Sequence, residues 1–490
     1  MKRWRNFWVL GMLGCVLGGA WAQDTSTPPT GDATAQTGQQ PPPDTTAPPV
    51  SDNPPLSGLD LPSLEPHAAP LSYIQPGATF SESADSNVAG EPGNGGVHSV
   101  TRGLGSITLE RQWSQYDLAL DYVGGAAYYN AYGLGFKTLQ QMDFDQKITW
   151  KRGQSSLRDS FSYLPEGTFG GAYGSLGSQG IQSLGTTAFG SFWGGSSLGS
   201  LGLAPRILNV ALADVSENLT PKSTLTAAGG YAFTHFYGED VSSGTTFIGS
   251  SQFSAQVGYN RLLSAHTQIA LVYGYQGFDF SVFGTAFHSH VIQGMYGHRI
   301  SGRMDLLVGA GPQFTVISGP NVGVPVHKIG VAAQGRLRYK FPKTGLDLKY
   351  ERFETSGSGF FAGAQSDIAS FNVTRPLSRV WTGLADIGYS KNSRLQMLDM
   401  AQLQTCGNNF GNTGQAACPG IDASSYSYVF SGVALQRAFG RNWHGFISYQ
   451  FNELEFDHSY CGGVTDCNRI GNRHVGTIGL DWTPRPIRID

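Results

Sequence analysis

Charged residues make up only 14% of this 490-residue chain, and they form no basic run. A nucleic-acid-binding protein normally carries a basic patch, so nucleic acid is not an expected partner. After residue 22, no apolar stretch reaches the roughly 20 residues of a membrane-spanning helix. The sequence therefore lacks the marks of a nucleic-acid-binding protein and of a helical membrane protein.

Catalytic motifs are also missing. The chain has no phosphate-binding P-loop and no dinucleotide-binding glycine fingerprint before a helix. Gly195–Gly199 has the spacing of a nucleophile elbow around Ser197, but it lies in a Gly/Ser-rich stretch without the strand and helix that an elbow needs. We therefore expect no enzymatic activity, no cofactor and no metal site.

Cysteine is scarce, with five residues in all. Cys15 falls in the predicted signal peptide, which leaves four that allow three pairings. The members of each close pair fall in one predicted loop, so the favoured bridges are Cys406–Cys418 and Cys461–Cys467. Export to an oxidising compartment favours disulfides, and the spacing of the first pair disfavours a metal site.

The N-terminal part of the chain predicts export followed by disorder. Lys2, Arg3 and Arg5 precede an apolar run and a small-residue cleavage site, which indicates a signal peptide over residues 1–22. Residues 23–72 are rich in Pro and Thr and carry no apolar period. We expect a disordered periplasmic segment there, because such a composition cannot bury a core.

From about residue 73, apolar and polar residues alternate. In the stretch from Trp443 to Asn452, Ile447 and Tyr449 share one face, whereas Ser448 and Gln450 share the other. Such stretches recur along the chain, separated alternately by tight turns and longer loops. The alternation predicts an all-β fold, a single antiparallel up-and-down transmembrane barrel with lipid outside and water inside.

The turns set the predicted number of strands. Eight tight turns give sixteen strands, a C-terminal strand over Asn472–Trp482 makes seventeen, and Tyr73–Ser86 is the natural partner that completes an even number. We predict eighteen strands between residues 73 and 482, with sixteen as the alternative. Residues 483–490 then form a C-terminal tail.

Charged residues on the predicted inward face form two groups. The acidic group lies on the second to fourth strands and comprises Glu110, Asp117, Asp121, Asp143 and Asp145. The basic group lies on the twelfth and thirteenth strands and comprises Lys328, Arg336, Arg338, Lys340 and Lys349. In a ring of eighteen, the third and twelfth strands face each other, which predicts a transverse field across the pore. In the alternative, these charges pair with neighbours and select nothing.

At the level of this pattern, the chain resembles porin-like bacterial outer-membrane β-barrels over roughly Tyr73–Trp482. The segment Trp150–Glu166 also resembles a stretch of uncharacterised barrels of soil bacteria. In porins the loop after the fifth strand folds inward, a position that Gly167–Pro205 holds here. The resemblance implies that its aromatic residues form a constriction; they are Phe169, Tyr173, Phe189, Phe192 and Trp193.

The resemblance implies a location and a function. Ile478–Trp482 looks like the terminal signal that the barrel-assembly machinery reads, and the expected surroundings are the lipids of the bacterial outer membrane. We expect a porin-like channel for passive diffusion of small hydrophilic solutes or ions, with the oligomeric state, including a homo-oligomer, left open. The alternative is a non-conducting structural or adhesive barrel whose large loops bind partners.

Overall fold

The computed structural model describes residues 54–59, 72–88, 90, 96–131, 134–166, 191–193, 203–237, 247–280, 285–318, 325–357, 359–395, 423–461 and 468–489. Several of the predictions concern residues outside these ranges. They are the signal peptide, the disulfides through Cys406, Cys418 and Cys467, and the aromatics Phe169, Tyr173 and Phe189. The backbone of Cys461 is described, but its side chain is not.

Eighteen long strands account for most of the described residues. They are β1 Tyr73–Asp85, β2 His98–Gln112, β3 Tyr116–Tyr129, β4 Gly135–Trp150, β5 Gly153–Glu166, β6 Leu203–Thr220, β7 Ser223–Phe236, β8 Ser250–Leu262, β9 Thr267–Phe280, β10 Thr285–Ser301, β11 Met304–Ser318, β12 Val326–Lys340, β13 Gly345–Thr355, β14 Ala364–Pro376, β15 Trp381–Arg394, β16 Ser425–Phe439, β17 Trp443–Phe456 and β18 Ile470–Trp482. Two 3-10 helices, Ser191–Trp193 and His458–Cys461, and a two-residue strand, β19 Ile487–Arg488, complete the elements.

Each strand pairs antiparallel with its neighbours in sequence, and β1 pairs with β18 to close the ring. Ala78 lies opposite Trp482 across this closure, and β19 adds two residue pairs to the start of β1. The predicted eighteen-stranded barrel is therefore confirmed, and the sixteen-stranded alternative is excluded. Tyr73–Asp85 is the strand that makes the number even.

Short turns collect at one end of the barrel. All eight predicted tight turns join paired strands, and the tightest are the two-residue turns at 151–152, 221–222 and 302–303. Short turns mark the periplasmic end of outer-membrane barrels, so the longer connections lie at the extracellular end. Among the described residues, no helix is both long enough and apolar enough to cross a membrane.

The two faces of the wall differ as the alternation predicts. Ile447 and Tyr449 of β17 point outward with 55% and 46% of their surface exposed, while Gln450 and Asn452 point inward and are buried. An outer band of this kind is apolar toward lipid, because side chains alternate between faces along a strand. The polar face lines the interior.

A buried ion pair fastens the closing strands. Arg473 of β18 makes a two-pronged contact with Asp85 of β1, with Nε–Oδ2 at 3.0 Å, and neither side chain is more than 4% exposed. On the other side of β1, Arg102 of β2 donates to Ser83 at 2.7 Å. The two charged side chains thus tie three strands together on the inner face.

Candidate functional site: the barrel lumen

The predicted acidic group lies together on the inner face of β2, β3 and β4. Asp121 lies directly opposite Asp143 on the neighbouring strand. Neutral groups solvate this like-charged pair: Thr108 donates to Asp121 at 2.6 Å, and Ser160 donates to Asp143 at 2.5 Å. We call the inner face of β2–β5 the acidic wall.

Other members of the acidic wall have cationic neighbours. Arg158 of β5 forms an ion pair with Asp145, with 3.3 Å between Nε and Oδ2, and the Asp145 side chain keeps 47% of its surface exposed. Lys147 lies opposite Asp117 in the strand register. The wall thus contains the cations Arg158 and Lys147 beside its carboxylates.

The predicted basic group is locally neutralised. Arg336 of β12 makes a two-pronged contact with Asp347 of β13, with Nε–Oδ1 at 3.0 Å. Arg338 makes the same kind of contact with Asp305 of β11, also with Nε–Oδ1 at 3.0 Å. Two-pronged contacts of this type fix both partners in place.

The same neutralisation extends to β13, where Lys349 pairs with Glu351 at 3.0 Å. The contacts of Arg336, Arg338 and Lys349 agree with the alternative to the transverse field, in which inward charges pair with neighbours. Lys328 lies near the extracellular end of β12, and Lys340 lies at its periplasmic end.

Two of the predicted constriction aromatics lie inside the barrel. Phe192 and Trp193, in the 3-10 helix between β5 and β6, are 8% and 7% exposed and meet edge to face at a centroid distance of 4.9 Å. They pack against inward residues of several strands, namely Leu208, Val210, Leu212, Ala232, Val291, Ala332 and Phe353.

Polar side chains of the wall hold this 3-10 helix in place. The backbone carbonyl of Phe192 accepts hydrogen bonds from Gln252 at 2.7 Å, from Ser254 at 3.1 Å and from Gln276 at 2.9 Å. Three donors converge on one carbonyl because amide and hydroxyl side chains replace the strand partners that an inserted backbone lacks. The connection therefore enters the lumen at the inner face of β8 and β9.

A second connection, between β13 and β14, crosses the extracellular mouth; the sequence analysis missed it. Its Phe360 lies 5.5 Å from Phe247 and 5.3 Å from Tyr426 of β16, measured between ring centroids. Phe247 in turn stacks on Phe236 of β7 at 5.0 Å. Since β7 and β16 are nine strands apart in a ring of eighteen, these four rings join opposite sides of the barrel. We call them the aromatic bridge.

The next residue of the same connection, Phe361, is fully buried and lies 5.2 Å from Tyr426, with the Arg394 guanidinium 4.5 Å from its ring centroid. A signal for this connection exists in the sequence. Like Gly167–Pro205, the stretch from Ser356 to Gly363 is uncharged, rich in Gly and contains aromatics. These shared features therefore indicate a second inserted connection between β13 and β14.

The sequence analysis also missed an inserted segment that precedes the barrel. Residues 54–59, which fall within the predicted disordered region, lie in the lumen against β7–β10. Leu56 is 8% exposed and packs on inward residues of β9 and β10, namely Ala270, Val272 and Met295. The rest of the predicted periplasmic segment lies outside the described residues, apart from Ser72, so its disorder stays a prediction.

The described residues hold no group of three or more His, Cys, Asp or Glu side chains arranged for a metal ion. The strand number, apolar outer face and polar interior define the class of porin-like outer-membrane β-barrels.

Comparison with known proteins gives structural similarities only. No family model matches the chain, and no curated protein matches it. Similar solved structures include OprD of Pseudomonas aeruginosa, at 9% identity and a TM-score of 0.39, over 86% of this chain and 97% of that one. OpdK of the same organism has 8% identity and a TM-score of 0.40, over 84% and 98% of the two chains. A BenF-like porin from Pseudomonas fluorescens Pf-5 has 8% identity and a TM-score of 0.40, over 86% and 98%. At these TM-scores, the fold of this chain is established by its own strand pairing.

Proposed function

We propose that this protein is a passive channel of the bacterial outer membrane for small hydrophilic solutes or ions. One observation carries the proposal: charged side chains on the inner wall keep accessible surface. The side chains of Asp145, Arg336 and Asp347 are 47%, 27% and 29% exposed, although all three point into the barrel. Charged groups need water around them, so an aqueous path beside the inserted segments is expected.

The acidic wall is the proposed determinant of ion preference. Arg336 and Arg338 are held by carboxylates, so their charge is offset where it arises. Asp121 and Asp143 each accept a hydrogen bond from a hydroxyl group, and like charges on adjacent strands add to each other's potential. We therefore propose a weak preference for cations over anions, in place of a symmetric transverse field.

A surface barrel that does not conduct is the second candidate. The observation that favours it is the aromatic bridge, which joins opposite walls at the extracellular end. In this reading, the connections at the mouth form a rigid platform for a partner, and the lumen serves only to support it.

Planar-bilayer recording separates the two candidates. Purified, refolded protein should give discrete, ohmic conductance steps, whereas a heat-unfolded sample of the same preparation should give none. A barrel verified as folded by its heat-modifiable migration on a gel, which stays silent both as the wild type and after removal of the inserted residues 54–59, would exclude the channel and leave the platform.

A further inference from the structure

Residues 54–59 are held in the lumen by side chains of the wall. The amide of Gln268 donates to the carbonyl of Pro54 at 3.1 Å, and that of Gln256 donates to the carbonyl of Ser57 at 2.8 Å. The backbone N–H of Ser57 donates to Asn260 Oδ1 at 3.2 Å. Three inward polar residues on β8 and β9 thus satisfy backbone groups that would otherwise lack partners.

The Ser57 side chain joins the same network. Its hydroxyl contacts the hydroxyl of Thr226 on β7 and accepts from the amide of Asn260. A turn closes within the segment, where the N–H of Gly58 donates to the carbonyl of Pro55 at 2.9 Å. Every one of these contacts is made by a side chain or by the segment itself, and none belongs to a strand ladder.

The wall is shaped to receive the segment. A Cβ atom on Gly297 of β10 would lie 2.6 Å from Leu56 Cδ2, and one on Gly258 of β8 would collide with the Ser57 side chain. These inward positions therefore have room for the segment only because they are glycine. Leu56 fills the space beside Ala270 and Val272, so the seat has an apolar anchor as well as polar contacts.

We propose that residues 54–59 are a tethered plug that occupies the periplasmic half of the lumen and limits the conductance of the channel. The proposal rests on the proposed function. Because the plug is bound through side chains, it can leave its seat without breaking any hydrogen bond of the strand ladders. Release would widen the path along β7–β10 and leave the barrel closed.

Two variants release or fix the plug. In Leu56→Asp, a carboxylate would replace the apolar anchor, so the plug should leave and the single-channel conductance should rise. In the double variant Leu56→Cys/Gly297→Cys, a disulfide should hold the plug in its seat. Its conductance should stay low and rise when a reductant opens the bridge. The single variant Leu56→Cys and the wild type, both treated with reductant, control for effects on the native cysteines.

The outcomes separate this proposal from the proposed function. Higher conductance in Leu56→Asp supports the plug, and this includes the case in which the wild type is silent. Equal conductance in the wild type and both variants overturns the plug but leaves the channel. Silence in every variant, with the barrel folded by gel migration, overturns both. A deletion of residues 54–59 that conducts like the wild type would also overturn the plug.

A second inference concerns Arg206 of β6, independently of the plug. Its side chain points inward and is 1% exposed, and none of its three guanidinium nitrogens has a hydrogen-bond partner among the described residues. Its register neighbours are Leu164 and Phe236, which offer no counter-charge. A cation for which the described residues supply no hydrogen-bond partner is costly to bury, unlike Arg336 and Arg338, which pair with carboxylates.

We infer that Arg206 binds a small oxyanion inside the barrel. A planar guanidinium matches the two oxygens of a carboxylate, so acetate is a suitable probe. Acetate should raise the unfolding temperature of the wild type above its value in equimolar chloride, because a ligand that binds only the folded state stabilises it. The rise should vanish in Arg206→Gln and persist in Arg338→Gln.

An equal rise in all three proteins would assign the effect to general salt action and overturn the site. No rise in the wild type would overturn it as well. Because the measurement records unfolding and not current, its result is independent of whether the barrel conducts.

Discussion

The acidic wall on β2–β5 and the inner face of β7–β10 line different parts of the same lumen with different kinds of polar side chain. The second face, which we call the amide wall, carries Gln252, Gln256, Asn260, Gln268 and Gln276. Both faces are polar, but the backbone segments that the structure describes inside the lumen are held by the amide wall and not by the acidic wall. An amide side chain both donates and accepts, so it can satisfy a backbone carbonyl or N–H, whereas a carboxylate only accepts. The amides of the amide wall can therefore donate to the carbonyl groups of an inserted segment, which a carboxylate cannot do.

The largest effect should come from breaking the aromatic bridge above both walls. Phe361, which follows the bridge residue Phe360, is fully buried and supports the bridge residue Tyr426, and truncation of a buried Phe to Ala typically costs about 3–5 kcal/mol. Phe360→Ala/Phe361→Ala should lower the unfolding temperature and raise the conductance. Phe371→Ala, on the lipid-facing side of β14, is the control. A double variant as stable as this control would show that the bridge contributes little.

A smaller loss should follow from separating Arg338 and Asp305. Their side chains are 17% and 14% exposed, so removal of one partner leaves a mostly buried charge. Hydrogen bonds to charged groups contribute about 1.5–3 kcal/mol, and Asp305→Asn should cost about that much. Chemical unfolding of both single variants and of Asp305→Asn/Arg338→Gln measures the coupling. Purely additive losses would mean that the contact is not energetically coupled.

Ion selectivity measures the separate contributions of the acidic wall and of Arg336 and Arg338. Asp121→Asn/Asp143→Asn should shift the reversal potential in a salt gradient toward anions. Replacement of Arg336 and Arg338 by Glu should shift it toward cations, and both shifts should shrink at high salt as screening increases. Because Asp347 offsets the charge of Arg336, removing the whole pair in Arg336→Gln/Asp347→Asn leaves the net charge unchanged and should shift it less than the acidic-wall variant. The reverse ranking would contradict the proposed role of the acidic wall.

The smallest effect concerns pH and Asp457, in the connection after β17. Burial alone would raise the pKa of Asp457, but hydrogen bonds from the side chains of Ser424 and Ser459 and from the backbones of Ser425 and Ser424 outweigh it and lower the pKa. A lowered pKa stabilises the folded connection above the ordinary Asp pKa of about 4. That contribution is lost as the pH falls through the folded value. Amide exchange at Ser424 and Ser425 should therefore accelerate at low pH, relative to the intrinsic rate.

Asp457→Asn removes the titrating group and serves as the matched variant. Its exchange at Ser424 and Ser425 should already be fast at neutral pH and should not change further on acidification. If exchange at Ser424 and Ser425 in the wild type is also independent of pH, Asp457 does not order this connection.

The fold could be predicted from the sequence because strand alternation is local. Neighbouring residues of a strand point to opposite faces, so Asp121 points inward because Tyr122 points outward. The same holds for Arg336 and Leu337, and a shift of one residue in either strand would put charges into lipid. Contact partners on other strands and inside the lumen follow no such rule. That Arg338 meets Asp305 depends on strand register, and that Ser57 meets Asn260 depends on a contact between segments 203 residues apart.

The closure between β1 and β18 has a consequence for the order of assembly. Asp85 and Arg473 are separated by 388 residues, so the ring can close only after the last strand is available. Contacts of such long range are slow to form, because the intervening chain must first be confined. Residues 54–59 precede β1 in the chain, yet their seat is on β7–β10, inside the finished ring. The N-terminal segment must therefore be enclosed while the barrel is still an open sheet, or be threaded through an open end afterwards. Blocking one of these routes, for instance by fusing a folded domain before residue 54, would distinguish between them.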